Sequence, residues 1–113
     1  LNEEELVRAA GIAIHFLDNV LEASRYPTPE IEAICKANRK VGLGIMGFAD
    51  LLLHLEIPYG SPAAVQLADR VMGLVQGAAV AASRALARQR GQPREALAAR
   101  SVPLVMITSR ARA

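Results

Sequence analysis

The run from Ser61 to Arg90 most constrains what this chain can fold into. Ser61 is a good helix N-cap. Pro62 suits the first helical position, where a missing N–H leaves nothing unpaired. No proline follows until Pro93, and Gly91 supplies a stop. Between these signals Ala68, Met72, Val75, Ala79, Ala82 and Leu86 recur at alternating spacings of four and three, which predicts one long helix ending near Arg90. A second series, Gly73, Gly77, Ala81 and Ala85, runs beside it at spacings of four. Each glycine inside a helix costs about 1 kcal/mol relative to alanine. The series therefore predicts a helix-packing strip whose contact offsets that cost.

The remaining elements must line up along this helix. Residues 3 to about 24 read as an amphipathic helix with Leu6, Ala10, Ala13, Leu17 and Val20 on one face, widened by Ile14 and Leu21. Tyr26-Pro27-Thr28-Pro29 ends it, because a residue before proline avoids the helical region. Thr28 then caps a short helix reaching about Ala37, with Pro29 at its first position. Phe48 to Leu55 reads as helical, with Phe48, Leu51, Leu52 and Leu55 on one face. Lys40 to Ile45 reads as a short strand or as the turn into that helix. Val102 to Thr108 is the best further strand, Pro103 confining it to an edge or a first position. Residues 94–100 allow one or two more helical turns, and 109–113 are expected to fray. The fold class expected is mainly α: a small helical bundle in a single domain, 1–113, with one long helix and at most one or two short strands.

Composition narrows the function classes. Apolar residues make up 52% of the chain, but much of that is alanine and only 4% is aromatic, so the core depends on close helix approach or on a partner surface. The net charge of +2 is too small to argue for nucleic-acid binding. The charges are segregated: seven acids and two arginines lie between Leu1 and Glu32, and seven arginines and one acid, Glu95, from Arg84 onward. That pattern matches helix dipoles, with Glu3, Glu4 and Glu5 opening the first helix and Arg84, Arg88 and Arg90 closing the long one. No aromatic residues interleave the arginines, as they would on a single-strand binding surface. The one cysteine, Cys35, excludes an internal disulfide and a cysteine zinc site and fits a reducing, cytoplasmic compartment. Flanked by Ile34 and Lys36, it reads as a buried inert thiol. His15 and His54 lack carboxylate or cysteine neighbours at metal spacing, so no catalytic, cofactor-binding or metal-ligating residue is assigned. Asp18-Asn19 are read as polar contacts to a neighbouring element. No apolar stretch reaches membrane-spanning length.

Residues 39–50, RKVGLGIMGFAD, carry Gly42, Gly44 and Gly47 in the spacing G-x-G-x-x-G, followed by Asp50. A dinucleotide site needs a hydrophobic strand before such a turn and an acidic residue ending a second strand about 20 positions on. A polar helix end precedes this turn, and Asp69 falls inside the long helix. Gly42, Gly44, Gly47 and Asp50 are therefore read as a structural motif in which glycine permits close approach and positive φ.

The stretch from Ala13 to Ser61, with AIHFLDNV, the Tyr-Pro turn, RKVGLGIMGFAD and IPYG, resembles an internal segment of the catalytic chain of ribonucleotide reductases, most like the adenosylcobalamin-dependent class. The resemblance covers about four-fifths of the chain. It implies an oxidoreductase of deoxyribonucleotide biosynthesis, working by a radical route inside an α/β barrel. It also implies that the family's catalytic cysteine, in an Asn-Pro-Cys-Gly-Glu context, lies upstream of this segment, so this chain alone would be inactive and hold no cofactor. RKVGLGIMGFAD resembles a barrel strand-to-helix passage. Two departures stand out. Glu56 occupies a position that is usually glycine, and SVPLVMIT at 101–108 is followed by Ser109-Arg110-Ala111 instead of a Pro-Thr-Gly phosphate loop. The chain thus reads as a fragment or truncated relative of the reductase chain, or alternatively as a stand-alone helical interaction module. Either way its uncovered apolar surface predicts a homo-oligomer, a two-fold dimer through the Gly73–Ala85 strip.

Overall fold

The computed structural model describes residues 1–90 and the backbone of residues 106–107. Its elements are α1 (Glu3–Ala23), α2 (Pro29–Asn38), β1 (Gly44–Ile45), α3 (Phe48–His54), α4 (Pro62–Arg90) and β2 (Met106–Ile107). The fold is mainly α, as the helical periodicities require. The expected turns at 94–100 and the tail at 109–113 lie outside the described residues.

Local chemistry places the helix starts. Asn2 caps α1, its side chain accepting from the Glu5 N–H at 3.1 Å, and Glu3, Glu4 and Glu5 face the positive end of the helix dipole. Thr28 caps α2 through the Ile31 N–H, and Ser61 caps α4 through the Ala64 N–H at 3.2 Å. Tyr26 fixes the turn between α1 and α2 by donating its hydroxyl to the Leu21 carbonyl at 2.8 Å.

The core forms where α1 lies along α4, with Ala10, Ile14, Leu43, Val75 and Ala79 buried together and Leu6, Leu17, Val41, Ile45 and Leu86 packed around them. At 1.5 Å per residue α4 is a rod of about 43 Å. The two helices run in the same direction: Glu3 pairs with Arg70 at 2.6 Å near their starts, and Asp18 with Arg90 at 2.6 Å near their ends. Alanine makes this approach possible, since Ala10 and Ala79 sit in the contact with almost no exposed surface.

The buried face of α4 keeps Val75 and Ala79 from the expected stripe, with Ala82 and Leu86 packed against the core, and departs from it only in the first half of the helix. Ala64 and Val71 are buried, whereas Ala68 and Met72 are only half-buried. In an alanine-rich helix two neighbouring stripes are both apolar, and the line that α1 covers decides between them. On α1, Val20 is exposed and Asp18 is buried instead. On α3, Leu52 is buried while Leu55 is exposed at the helix end.

Strands β1 and β2 pair in parallel, Gly44 with Met106 and Ile45 with Ile107. Parallel neighbours need a crossover connection, and α3 and α4 lie in that connection.

The end of α3 explains the departure at Glu56. The Ile57 N–H reaches the Leu52 carbonyl at 2.9 Å and the Glu56 N–H the Leu53 carbonyl at 3.1 Å. These are the paired bonds of a Schellman motif, which places Glu56 where glycine is preferred. Glu56 accordingly takes φ 54°. The left-handed conformation costs a non-glycine residue about 1–2 kcal/mol, and glycine's extra unfolded freedom returns about 0.5–1 kcal/mol of that. Glu56→Gly is therefore expected to stabilise the chain by about 0.5–1 kcal/mol, read from the urea midpoint; a loss of stability would show that the Glu56 side chain contributes more than its backbone costs.

Candidate functional site

The passage from Arg39 to Asp50 is where the chain changes from helix to strand and back to helix. Arg39 is the C-cap of α2, with φ 44° and ψ 43°, and its N–H bonds the Cys35 carbonyl at 2.9 Å. Residues 40–43 run on to β1, burying Leu43 and Gly44. Gly47 then takes φ 79° as the N-cap residue of α3. Gly42 is exposed, Gly47 half-buried, and Asp50 exposed in the first turn of α3. Asp69 is exposed within α4, where no second strand ends.

A cluster of charged side chains braces the start of this passage. Asp18 on α1 is buried, and its Oδ1 accepts from Arg39 Nε at 2.8 Å with Nη2 at 2.7 Å. Arg39 Nη2 also donates to the Asp18 carbonyl oxygen at 3.3 Å, and Nη1 to Glu22 Oε1. From the end of α4, Arg90 Nη1 lies 2.6 Å from Asp18 Oδ2, a close ion pair whose angle leaves that oxygen without an aligned donor. Arg90 Nη2 donates to Asn19 Oδ1 at 2.5 Å. Lys36 on α2 bonds Glu32 at 2.7 Å and lies 3.9 Å from Glu22. Asp18-Asn19 therefore do contact neighbouring elements, two of them.

The electrostatics follow from the helix directions. Asp18 and Glu22 sit near the negative end of α1, whose last turn holds no basic residue. Carboxylates are unfavourable there, so the cations come from the ends of α2 and α4. The hydrogen bond from Arg39, helped by the charges of Arg39, Lys36 and Arg90, holds the Glu22 carboxyl below the ordinary carboxylate range. Burial works against the charge on Arg39, yet its bonds to Glu22 and Asp18 raise its pKa further. The hydrogen bond to Glu32 raises the pKa of Lys36. Arg39, Glu22 and Arg90 were not legible as a group in the sequence. Arg39 lies 21 residues from Asp18, and Arg90 lies 71 from Asn19.

An open cleft of about 560 Å³ borders β1 and α3, lined by apolar side chains including Leu6, Met46, Phe48, Leu51 and Val71, with Asp50 and His54 as its polar side chains. His15 is exposed on α1, away from these residues in sequence. Cys35, expected to be buried, is half-buried on α2, a helix that buries no residue fully. Among the described residues no group of three or more histidine, cysteine, aspartate and glutamate side chains is placed to hold a metal ion. Gly73, Gly77 and Ala81 are exposed and Ala85 half-buried; a Cβ on either glycine would meet nothing within 4 Å. No helix among the described residues is long and apolar enough to cross a membrane.

Known proteins are similar to this chain in sequence. The family described as "Ribonucleotide reductase, barrel domain" matches residues 1–102. A vitamin B12-dependent ribonucleoside-diphosphate reductase of Mycobacterium tuberculosis is 52% identical over 88 residues, covering 78% of this chain and 13% of the relative. A protein of the same name from Thermoplasma acidophilum is 44% identical over 88 residues, covering 78% of this chain and 12% of the relative. The ribonucleoside-diphosphate reductase subunit alpha of Chlamydia pneumoniae is 44% identical over 91 residues, covering 80% and 9%. The chain thus spans about an eighth or less of the length of these curated relatives.

Proposed function

We propose, for a chain that belongs to the ribonucleotide reductase barrel-domain family, that it supplies one strand-and-helix sector of a barrel that reduces ribonucleotides to deoxyribonucleotides by a radical route. In this reading adenosylcobalamin serves the intact enzyme, as the vitamin B12-dependent relatives suggest, and the compartment is the cytosol. The observation that carries the proposal is the parallel pairing of β1 with β2 across a helical crossover, one repeating unit of an α/β barrel; β1 and the crossover helices α3 and α4 lie within the segment that the family matches, and β2 lies just beyond it. The large apolar side chains left exposed, among them Ile12, Phe16, Ile34, Leu53 and Val65, support it, because a surrounding barrel would cover them.

Among the described residues the lining of the cleft includes Asp50 and His54 as polar side chains, few partners for the amide groups around a corrin ring, which supports a place for the cofactor elsewhere in the intact enzyme. The role proposed for this chain is therefore scaffolding of a barrel strand, with Gly42, Gly44, Gly47 and Asp50 shaping the passage. A chimaera of the Mycobacterium tuberculosis relative carrying this chain's residues across the matched segment is expected to keep ribonucleotide reduction. A folded but inactive chimaera would overturn the proposal. The chain alone, given adenosylcobalamin and a dithiol, is expected to reduce nothing.

A second reading, a self-associating helical module, is favoured by the open space over Gly73 and Gly77. It takes the form of a two-fold dimer through the strip of Gly73, Gly77, Ala81 and Ala85. Arg70, Arg84 and Arg88 lie three residues from members of that strip, so like charges would meet across the axis, and association should strengthen with salt. Light scattering at micromolar concentration, at low and high salt, decides it: a monomer in both removes this reading.

A further inference from the structure

We infer that Asp18 is a positioning residue that sets strand β1 through Arg39, so that the passage into α3 is held by an ion cluster on α1 and not by the strand's own pairing. β1 has two residues, too few for pairing alone to fix a register. Yet Leu43, immediately before it, is buried in the α1–α4 core. Something must aim the chain between Asn38 and Leu43, and Arg39 is the residue at which it turns. Its left-handed backbone ends α2, and its side chain is 9% exposed, forked between the Asp18 carboxylate, the Asp18 carbonyl and Glu22. A residue whose backbone and side chain are both pinned leaves its successors little freedom of direction. Only a planar guanidinium reaches those acceptors together; a lysine ammonium is a single point charge. Nor is the cluster incidental. Asp18 and Glu22 face the negative end of α1 without cations of their own, so they recruit Arg39. This inference does not rest on the proposed enzymatic role.

Hydrogen exchange followed by mass spectrometry on the 113-residue chain provides the test, using Arg39→Lys and Arg39→Gly. In both variants Asp18 keeps Arg90 and Glu22 keeps Lys36, so the fold has compensating charges. Glycine suits φ 44° better than arginine does, so a purely backbone role would leave Arg39→Gly unchanged or better protected. Lysine keeps the charge, so a purely Coulombic role would leave Arg39→Lys unchanged. The expected result is exchange at least about ten-fold faster across residues 40–47 in both variants, with residues 8–17 and 70–80 at parent rates, a ten-fold change corresponding to about 1.4 kcal/mol of local opening. Asp18→Asn added to Arg39→Gly should then change residues 40–47 little further, because Asp18 acts on them through Arg39. Parent-like exchange at 40–47 in either variant overturns the inference, as does equal acceleration through all helices or a full additional effect of Asp18→Asn.

Discussion

Asp18→Ala is expected to lower the stability of this chain by about 3 kcal/mol, within the range of about 3–5 kcal/mol for removing one partner of a buried ion pair. The loss arises mainly from what is left behind. Arg39 keeps its guanidinium buried, with Glu22 and one carbonyl as remaining acceptors, and Arg90 loses its carboxylate at 2.6 Å. Because Glu22 still faces Arg39, the lower end of the range applies. A small domain holds only about 5–15 kcal/mol in total, so a loss of this size removes a large part of the margin. Urea denaturation followed by circular dichroism measures it. Glu5→Ala supplies the comparison: its pair with Arg8 is exposed on both sides, and exposed pairs contribute about 0–1 kcal/mol. If Asp18→Ala costs no more than Glu5→Ala, the cluster is effectively solvated and its burial carries no energetic consequence.

The contrast between those two carboxylates marks what was legible in the sequence. Helix starts were readable because their signals are local: Thr28-Pro29 and Ser61-Pro62 place an oxygen and a fixed φ within one turn of the amides they serve. The polar pair Asp18-Asn19 stood out inside an apolar helix. Its partners did not, because nothing in local spacing ties Asp18 to Arg39 or to Arg90. The direction of α1 relative to α4, which brings those ends together, is a tertiary property. The first half of the stripe on α4 departed from expectation for the same reason, while Val75, Ala79, Ala82 and Leu86 met the core as read. Ala68, Met72 and Val75 satisfy a helical period as well as Ala64, Val71 and Val75 do, and only the position of α1 separates them. β1 was readable as a strand or a turn, since two residues carry no periodicity; its pairing with Met106–Ile107 lies some 60 residues away. In the glycine motif unusual backbone was legible at Gly47, which takes positive φ, whereas Gly42 and Gly44 do not. At Arg39 and Glu56, which also take positive φ, it was not legible, because neither residue type signals it.

Gly47 provides the sharpest remaining discrimination, between a glycine needed for its backbone and one needed for its size. At φ 79° it occupies the region where a side chain costs about 1–2 kcal/mol. Close packing around the passage would add about 1–3 kcal/mol for a bulky residue. A three-variant series separates the two contributions. Asparagine tolerates the left-handed region better than other side chains do, so Gly47→Asn should cost least. Alanine meets the full backbone cost with little bulk, so Gly47→Ala should lose about 1–2 kcal/mol. Gly47→Leu should lose more than alanine if neighbours crowd the site, reaching about 2–5 kcal/mol from the two costs together. Denaturant midpoints give all three values. Equal losses for alanine and leucine would mean that conformation alone selects glycine and that the cleft beside Met46 and Phe48 has room for a side chain. A leucine variant as stable as the parent would show that neither contribution holds, and would return the glycine-rich turn to consideration as a place where a ligand, absent from the free chain, makes the close approach.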